Sequence, residues 1–301
     1  MSSPLVSVII VSHNHEKYIL KCVESIIKQT YKKIEILAFD NGSEDNSGKI
    51  ITQLSNKYKF FYKLQKNIGI SNTLNDAIKN YAKGKYIAPI AGDDFWLLDK
   101  IENQVNIMEK EDENVAVCTG NIILVDEYDK PYPKQYMNND FILDFETAFL
   151  RGNGICAPTA LIRKSVFNKI GYYDSSLSIE DYDMWLRILY KGYKIINVSK
   201  IYAYYRQHRN NLSLNLEFMN KDNKRILYKY VTHPQFRKAL QNYYLRQFLF
   251  FSKHHKKKAL NLIPKVMFRL NKKFFLKGLI YLFTPKNLLK KYVRFDQRMN
   301  I

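Results

Sequence analysis

The chain has 301 residues, of which 46% are hydrophobic, and it carries a formal net charge of +20. This size and apolar content fit a globular protein with one large core and an appended region, or with two domains. The charge is not spread evenly, because residues 201–301 hold 23 Lys/Arg and 3 Asp/Glu, which leaves 25 basic and 25 acidic residues before them. The net positive charge therefore lies entirely in residues 201–301.

Three classes of protein are disfavoured by what the sequence lacks. Cys22, Cys118 and Cys156 are too few and too scattered for a disulfide framework or a zinc motif, which favours a reducing compartment. The N-terminus has no signal-peptide pattern, and no run reaches the roughly 18 apolar residues of a membrane span. The best candidate, Phe274 to Phe283, is broken by Lys277. We expect a cytoplasmic protein that could meet a membrane only at its surface.

Strand and helix patterns alternate in the first ninety residues. The apolar runs rich in β-branched residues are Val6–Val11, Ile34–Phe39, Phe60–Leu64 and Tyr86–Ile90. Between them lie stretches of helical period, with apolar faces formed by Ile19, Val23, Ile26 and Ile27 and by Leu74, Ala77, Ile78 and Tyr81. This alternation predicts βαβ units and a mainly parallel sheet that is covered by helices on both sides.

A short polar cluster follows each of these four strands. The clusters are Ser12–Asn14, Asp40–Ser43, Asn67–Gly69 and Gly92–Asp94. Ligands of parallel α/β sheets bind outside the carboxyl ends of the strands. We therefore predict that the four loops converge on one rim and that this rim is the functional site.

The pattern becomes mixed after about Val115. We predict an extended segment near Ala157–Ile162, a helix over Glu180–Tyr190, and extended pieces at Ile195–Val198 and Tyr202–Tyr205. After residue 215 the apolar spacing predicts helices only, with apolar stripes beside clusters of lysine.

Two local patterns suggest chemistry that the wider sequence does not support. The segment Gly42–Ile50 is similar to a phosphate-binding glycine loop, but its glycines are wrongly spaced and Ile50 replaces the Ser/Thr. His13 and His15 could suggest a metal, but without a third ligand nearby we interpret them as polar loop residues. No G-x-G-x-x-G follows a strand, which argues against a dinucleotide-binding domain.

Five motifs in order resemble those of the family 2 glycosyltransferases, which have the GT-A fold. They are "VSVIIVSHNHEKYILKCVESIIKQTY", "FDNGSEDNS", "KNIGISNTLNDAI", "EDYDMWLR" and "YRQH", and the resemblance covers roughly residues 5 to 210. It implies a GT-A-like, mainly parallel α/β sheet between helices, in a catalytic domain of residues 1–212. Residues 213–301 would be a basic, amphipathic helical accessory region.

The resemblance also implies a donor site and a metal site. Donor-binding positions carried over from the family are Val11, Ser12, Asn14, Asp40, Asn67 and Arg206, the last as a bidentate partner of the diphosphate. The family's Asp-x-Asp motif falls on Ala91, Gly92 and Asp93, so that Asp93 is the carried-over ligand of Mg²⁺ or Mn²⁺ and His208 completes the site. A hard cation there binds carboxylate and phosphate oxygens together.

The catalytic base implied by the resemblance is Asp181, at the start of a predicted helix. An inverting transfer needs a carboxylate that takes the proton of the attacking acceptor hydroxyl. On the acceptor side we place Asp94, Trp96 and Glu180, and the segment Gly152–Phe167 is similar to the family's acceptor region. The implied substrates are a nucleotide-sugar and a glycan or lipid-linked oligosaccharide, as in O-antigen or capsule synthesis.

The basic C-terminal region leaves alternatives open. Polybasic helices with apolar faces suit an anionic membrane surface, which we assign to residues 250–301, but charge alone cannot separate lipid phosphates from nucleic-acid phosphates. The high apolar content favours the membrane and argues against nucleic acid. A helical subdomain with a solvated basic face is the third interpretation.

Two other functions stay open from sequence alone. Ala91 and Leu74 depart from the family's pattern, which would suit a non-catalytic nucleotide-sugar-binding scaffold. A nucleic-acid-binding protein is the other alternative. We predict a glycosyltransferase that is peripheral on the cytoplasmic face of the cell membrane.

Overall fold

A computed structural model describes residues 3–133, 135, 137–152, 154–209, 211, 216–266 and 272–285. The chain divides into two compact units. The first comprises Met1–Phe145 and Ile155–Leu214, and the second comprises Glu146–Gly154 and Asn215–Ile301. The assignment of catalysis to residues 1–212 and of an accessory role to residues 213–301 stays a prediction.

The first unit alternates strands and helices along most of its length. Its strands are β1 (Val6–Ser12), β2 (Ile34–Asn41), β3 (Phe61–Gln65), β4 (Tyr86–Ala91), β5 (Phe95–Trp96), β6 (Val115–Val125), β7 (Phe141–Leu143), β8 (Leu161–Arg163) and β9 (Lys194–Arg206). The helices of this unit are α1 (Ile19–Ile27), α2 (Ser47–Tyr58), α3 (Ile70–Asp76), α4 (Lys100–Met108), α6 (Ser165–Ile170) and α7 (Glu180–Tyr190). Helix α5 (Phe145–Arg151) belongs, after its first residue, to the second unit. A π-helical turn, Ala77–Tyr81, extends α3.

All nine strands join one sheet, in the order β3-β2-β1-β4-β8-β6-β9-β5, and β7 also pairs with β9. Strands β1 to β4 are mutually parallel, with Val6 opposite Ile34 on one side and Tyr86 on the other. Strand β8 runs antiparallel to both β4 and β6. The predicted fold class, a mainly parallel α/β sheet covered by helices, is confirmed.

The sheet places its apolar residues as a two-sided parallel sheet requires. All seven residues of β1 are buried, because helices cover both faces of the central strands. Side chains from α1 and α4, such as Ile19, Val23 and Met108, pack in the same core as Val8 and Ile10 of β1. This core fixes the carboxyl ends of the strands, from which the loops of the site emerge.

Two predicted elements in the second half of this unit differ from the structure. The extended segment expected from Ala157 begins only at Leu161, because Ala157–Thr159 forms a 3₁₀ turn. Pro158 explains the difference, since it has a fixed φ and no N–H for a strand ladder. The two extended pieces expected around Val198 and Tyr202 are parts of the single strand β9.

The described part of the second unit is helical. It contains α8 (Leu216–Tyr228), α9 (Phe236–His254), α10 (Lys256–Leu260), α11 (Ile263–Val266) and α12 (Lys272–Phe283). Helix α12 packs closely on α9, because a Cβ at Gly278 would lie 2.3 Å from the Cε1 atom of Phe248. Helix α5 is part of this unit, where the carbonyl of Leu150 accepts hydrogen bonds of 3.0 Å from both Asn242 and Arg246 of α9. Within the described residues, no helix is both long and apolar enough to cross a bilayer.

Candidate active site

The loops after the four parallel strands meet at one rim, as the sequence predicts. The backbone N–H of Asn14, after β1, donates a 2.9 Å hydrogen bond to Ser43 Oγ, after β2. The amide of Asn41 donates to Asn67 Oδ1, after β3, at 3.1 Å. Asp93, after β4, faces the first of these loops. The rim is therefore a connected surface rather than four separate loops.

Asp93 lies at the centre of a cluster with two histidines. It is 8% exposed, and its Oδ2 atom lies 2.9 Å from His208 Nε2 and 3.9 Å from His15 Nε2. One ligand atom from each of the three residues lies within 4.8 Å of the others. Asp93 and His208 are the two residues predicted to bind metal, whereas His15 was interpreted as a polar loop residue. The structure adds His15 to their group.

The chemistry of this cluster suits a divalent cation. Asp93 Oδ1 is buried and has no hydrogen-bond partner among the described residues. A buried carboxylate oxygen without a partner is costly, and a hard cation is the ligand that satisfies it. Burial opposes ionisation of Asp93, but the hydrogen bond from His208 and the charge of His15 outweigh it and lower the pKa of Asp93.

Asp94 has a different environment from its neighbour. Its Oδ1 atom accepts a 2.9 Å hydrogen bond from the backbone N–H of Arg206, at the end of β9. Burial and the adjacent charge of Asp93 raise the pKa of Asp94 well above its usual range. The contact ties the Asp93 loop to the strand that leads into His208.

The guanidinium of Arg206 reinforces the same connection. Its Nε donates to the carbonyl of Asp93 at 2.8 Å, its Nη1 donates to the carbonyl of Asp126 at 3.2 Å, and its Nη2 pairs with Asp129 at 2.6 Å. Arg206 is 2% exposed, and its guanidinium lies 4.4 Å from the ring centre of Tyr18. In this structure its nitrogens are therefore engaged by the protein, and its contact with a diphosphate stays a prediction.

Asp40 and Asn67 form the second part of the rim. Asp40 is 5% exposed; its Oδ1 accepts from the N–H of Ser43 at 2.9 Å, whereas its Oδ2 has no hydrogen-bond partner among the described residues. Position 42, in the loop after Asp40, requires a glycine. Gly42 has φ +79°, and a Cβ there would lie 2.6 Å from the backbone N atom of Asn67. The role of Asp40 in binding the donor stays a prediction.

The remaining donor positions lie in the loop after β1. Val11 and Ser12 are buried in the strand end, and the Ser12 hydroxyl has no partner among the described residues. Asn14 has φ +58°, and its Oδ1 accepts a 2.8 Å hydrogen bond from the N–H of Glu44. Asn14 thus holds this loop against the loop after β2.

Glu180 and Asp181 begin helix α7, where negative charge is favoured by the helix dipole. Burial raises the pKa of Asp181, and burial together with Asp181 raises the pKa of Glu180 to about 8. Neither makes an ion pair with a described residue, whereas Asp183 pairs with Arg187 at 2.7 Å. Glu180 and Asp181 therefore both hold their protons more tightly than exposed carboxyl groups do.

Trp96, predicted on the acceptor side, lies in the core and is 3% exposed. Its indole N–H donates a 2.8 Å hydrogen bond to the carbonyl of Pro158, inside the segment that resembles the family's acceptor region. Lys100 lies over the Trp96 ring at 4.0 Å. Trp96 therefore connects the Asp93 loop to that segment through its indole.

The model of Glycosyl transferase family 2 matches residues 7–171, more than half of the chain. The chain belongs to this family. The predicted family membership is thereby confirmed, and all four strand-end loops lie inside the matched range.

Curated relatives agree with this assignment. An uncharacterized glycosyltransferase of Rickettsia typhi is 34% identical over 66% of this chain and 61% of its own length. The Escherichia coli UDP-Glc:alpha-D-GlcNAc-diphosphoundecaprenol beta-1,3-glucosyltransferase WfaP is 32% identical over 70% of this chain and 80% of its own length. A crystal structure of S. aureus TarS in complex with UDP-GlcNAc has a TM-score of 0.63 and 17% identity, over 96% of this chain and 91% of TarS. TarS supports the fold alone.

Three features of the site were not predicted from sequence: the place of His15, the partners of Arg206, and the role of Asp129. Asp129 has φ +67° in a turn and pairs with both Arg206 and Lys21. The position of His15 directly after a predicted strand was a usable signal. The partners that would have given it meaning, however, are 78 and 193 residues away along the chain.

Proposed function

We propose that this family 2 chain is an inverting, metal-dependent glycosyltransferase that transfers a sugar from a UDP-sugar to a lipid-linked glycan. The observation that carries the proposal is Asp93, whose buried carboxylate has an unpaired oxygen and lies beside His208 on the rim of the donor loops.

The donor side of the proposal uses the other half of the rim. The unpaired Oδ2 of Asp40 and the amides of Asn14 and Asn67 are suited to bind a nucleotide base and ribose. WfaP is named for UDP-Glc, and the TarS structure holds UDP-GlcNAc. These names support a UDP-hexose or UDP-N-acetylhexosamine as the donor class.

Asp181 is the proposed general base. It takes the proton of the acceptor hydroxyl while that oxygen forms a bond to the anomeric carbon and the bond from this carbon to the diphosphate oxygen breaks. Asp93 and His208 would hold Mg²⁺ or Mn²⁺, which when bound neutralises the leaving diphosphate. Glu180, beside the base, has a pKa raised to about 8 and is therefore largely protonated at neutral pH, so that it keeps a second negative charge away from Asp181.

A transfer assay tests this reaction. Purified protein is incubated with radiolabelled UDP-glucose or UDP-GlcNAc, with Mn²⁺ or Mg²⁺, and with GlcNAc-diphosphoundecaprenol, the acceptor for which WfaP is named. Label that enters the lipid with one donor, and not with Asp181→Asn, supports the proposal. Donor binding without transfer to lipid or water, for both donors, would favour the scaffold.

The acceptor's lipid also suggests where the protein works. Helix α12 exposes Leu276, Ile280 and Phe283 at helical spacing, with exposed fractions of 56%, 64% and 76%. Leu282 of the same helix is instead buried and packs with Phe248 in the core of the second unit. Together with the 23 basic and 3 acidic residues of positions 201–301, this face supports binding to an anionic membrane surface. We propose a peripheral location on the cytoplasmic face, without nucleic acid.

Vesicle flotation tests the membrane proposal. We expect the protein to float with vesicles of 30% phosphatidylglycerol, a composition chosen here as roughly bacterial, and not with neutral vesicles, because each nearby basic residue contributes about 1 kcal/mol. Ile280→Glu should abolish flotation, whereas Leu20→Glu, a change at an exposed apolar position of the first unit, should not. Tight binding of duplex DNA with no flotation would contradict the proposal.

A further inference from the structure

We propose that His15 is a third protein ligand of the cation site, and that its imidazole makes the site discriminate against Mg²⁺ more strongly than Asp93 and His208 alone would. The inference rests on the proposed function in one respect, the use of Asp93 and His208 as ligands. It adds a second imidazole, which lies near the start of the first unit, whereas His208 lies near its end. The centre would then contain two imidazole nitrogens and one carboxylate.

The three side chains already converge on one point. His208 Nε2 and His15 Nε2 lie 2.9 and 3.9 Å from the same atom, Asp93 Oδ2. The two imidazole rings have centroids 6.3 Å apart and planes inclined at 76°, so they approach the carboxylate from different directions. A cation can therefore contact all three after small side-chain movements.

The backbone of the first loop holds His15 in this position. Its N–H donates a 2.8 Å hydrogen bond to Ser47 Oγ, and its carbonyl accepts from the N–H groups of Tyr18 and Ile19 at 2.8 and 2.9 Å, where α1 begins. The His15 side chain is 14% exposed. An imidazole that is anchored and partly buried is a better ligand than a mobile surface one, because less side-chain entropy is lost on binding.

The residue before Asp93 explains how the ring fits. A Cβ at Gly92 would lie 2.9 Å from His15 Nδ1 and 3.0 Å from Ser12 Oγ. The middle position of the Ala91-Gly92-Asp93 segment is thus empty because the His15 ring packs over it. In this chain the lack of a side chain at Gly92 makes room for the His15 ring, although the two residues are 77 positions apart in the sequence.

His13 shows what a histidine of this loop looks like without such a role. It is exposed, and its Nε2 lies 3.5 Å from the side-chain amides of Asn14 and Asn67 rather than beside a carboxylate. The two histidines share a loop and differ in their surroundings. His13 is therefore the matched control for His15.

Ligand chemistry gives the metal preference. Mg²⁺ favours oxygen ligands and keeps several waters, whereas imidazole nitrogen favours first-row transition ions. A site with two histidines should therefore discriminate against Mg²⁺ more strongly than one with a carboxylate and a single histidine. Three protein ligands should also retain the ion before the donor arrives.

The test is Mn²⁺ binding to the full chain without donor, followed by electron paramagnetic resonance. Loss of the free-ion signal gives the Kd, competition with Mg²⁺ gives the preference, and pulsed spectra report imidazole nitrogens at the bound ion. We expect two histidine nitrogens in wild type and in His13→Ala, and one in His15→Ala. We expect Mn²⁺ affinity to fall by about tenfold or more in His15→Ala, since even outer-shell partners of a metal are worth about 10–100-fold.

A second variant, His15→Gln, keeps a side chain of similar size at position 15 but has no imidazole. We expect one histidine nitrogen at the bound Mn²⁺ in this variant too. If His15→Ala is misfolded, His15→Gln still tests the inference. Unchanged affinity and two remaining nitrogens in both His15 variants would overturn the inference while leaving Asp93 and His208 as ligands. Absence of Mn²⁺ binding in wild type would overturn it together with the proposed metal site. A ratio of Mn²⁺ affinity to Mg²⁺ affinity that is the same in wild type and in His15→Gln would overturn the discrimination assigned to His15.

Discussion

Two pairs of adjacent acids, Asp93-Asp94 and Glu180-Asp181, look alike in sequence and differ in the structure. Asp93 has a lowered pKa, because His208 and His15 outweigh its burial. Asp181 has a raised pKa, because burial outweighs the hydrogen bonds it accepts from the backbone. Asp93 therefore provides a carboxylate that stays charged, and Asp181 provides a group that can accept a proton.

The difference comes from the residues that the fold brings to each pair. The cationic and hydrogen-bonding partners of the first pair lie on β9 and after β1, far away in the chain, whereas the second pair makes no ion pair with a described residue. Charge that is neutralised by partners suits a metal and its diphosphate, and charge that is poorly solvated suits a base. The predictions below test this division, beginning with the largest effect.

Replacing the metal carboxylate should have the largest effect. We expect Asp93→Asn to lower turnover about a thousandfold or more, because a bound cation contributes several kcal/mol of charge stabilisation to the departing diphosphate. Radiolabel transfer measures turnover, and thermal unfolding without ligands shows whether the fold is kept. Turnover within tenfold of wild type would mean that Asp93 does not hold a catalytic ion.

Replacing the base should slow transfer and spare the donor. We expect Asp181→Asn to lower kcat by about 10²–10⁴-fold, the usual contribution of general base catalysis, with a KM for the donor close to that of wild type. Asp183→Asn is the neighbouring control, since Asp183 pairs with Arg187 rather than facing a substrate. A larger loss in Asp183→Asn, in protein that is equally folded, would place the base elsewhere on α7.

Removing the guanidinium of Arg206 should loosen the first pair. Arg206→Met leaves the carbonyls of Asp93 and Asp126 and the carboxylate of Asp129 without this donor, which should cost about 1–3 kcal/mol in free energy of unfolding. Lys21→Met removes an exposed partner of the same Asp129 and should cost about 0–1 kcal/mol. Urea denaturation measures both, and equal losses would argue against Arg206 as the brace of the Asp93 loop.

A further prediction concerns the pH dependence of stability at the second pair. Glu180 has a pKa of about 8 when folded, against 4.5 when unfolded, so the unfolded chain releases its proton first as pH rises. Its contribution to stability should therefore fall as pH increases from about 4.5 to about 8. Glu180→Gln should raise the Tm relative to wild type at pH 8 and leave it nearly equal at pH 4.5. A constant difference between these two pH values would show that Glu180 has an ordinary pKa.

Much of the fold follows from local pattern, and the site only in part. Strand β1 and helix α7 are predictable because apolar spacing is a property of neighbouring residues. Resemblance to the family predicts roles for Asp93, Asp181 and His208, of which the structure brings Asp93 and His208 together. The place of His15 is not predictable in this way, because its meaning depends on a carboxylate 78 residues away. The joining of Leu150 to α9 is likewise invisible in sequence, since it consists of hydrogen bonds to one backbone carbonyl.

The most direct test of the division between the two acid pairs is donor binding in the two matched variants. Thermal unfolding is measured with UDP-glucose or UDP-GlcNAc, with and without Mn²⁺, on wild type, Asp93→Asn and Asp181→Asn, because a ligand that binds only the folded state raises the Tm. We predict a metal-dependent rise in wild type that is kept in Asp181→Asn and lost in Asp93→Asn. A rise kept in Asp93→Asn, or lost in Asp181→Asn, would contradict the account.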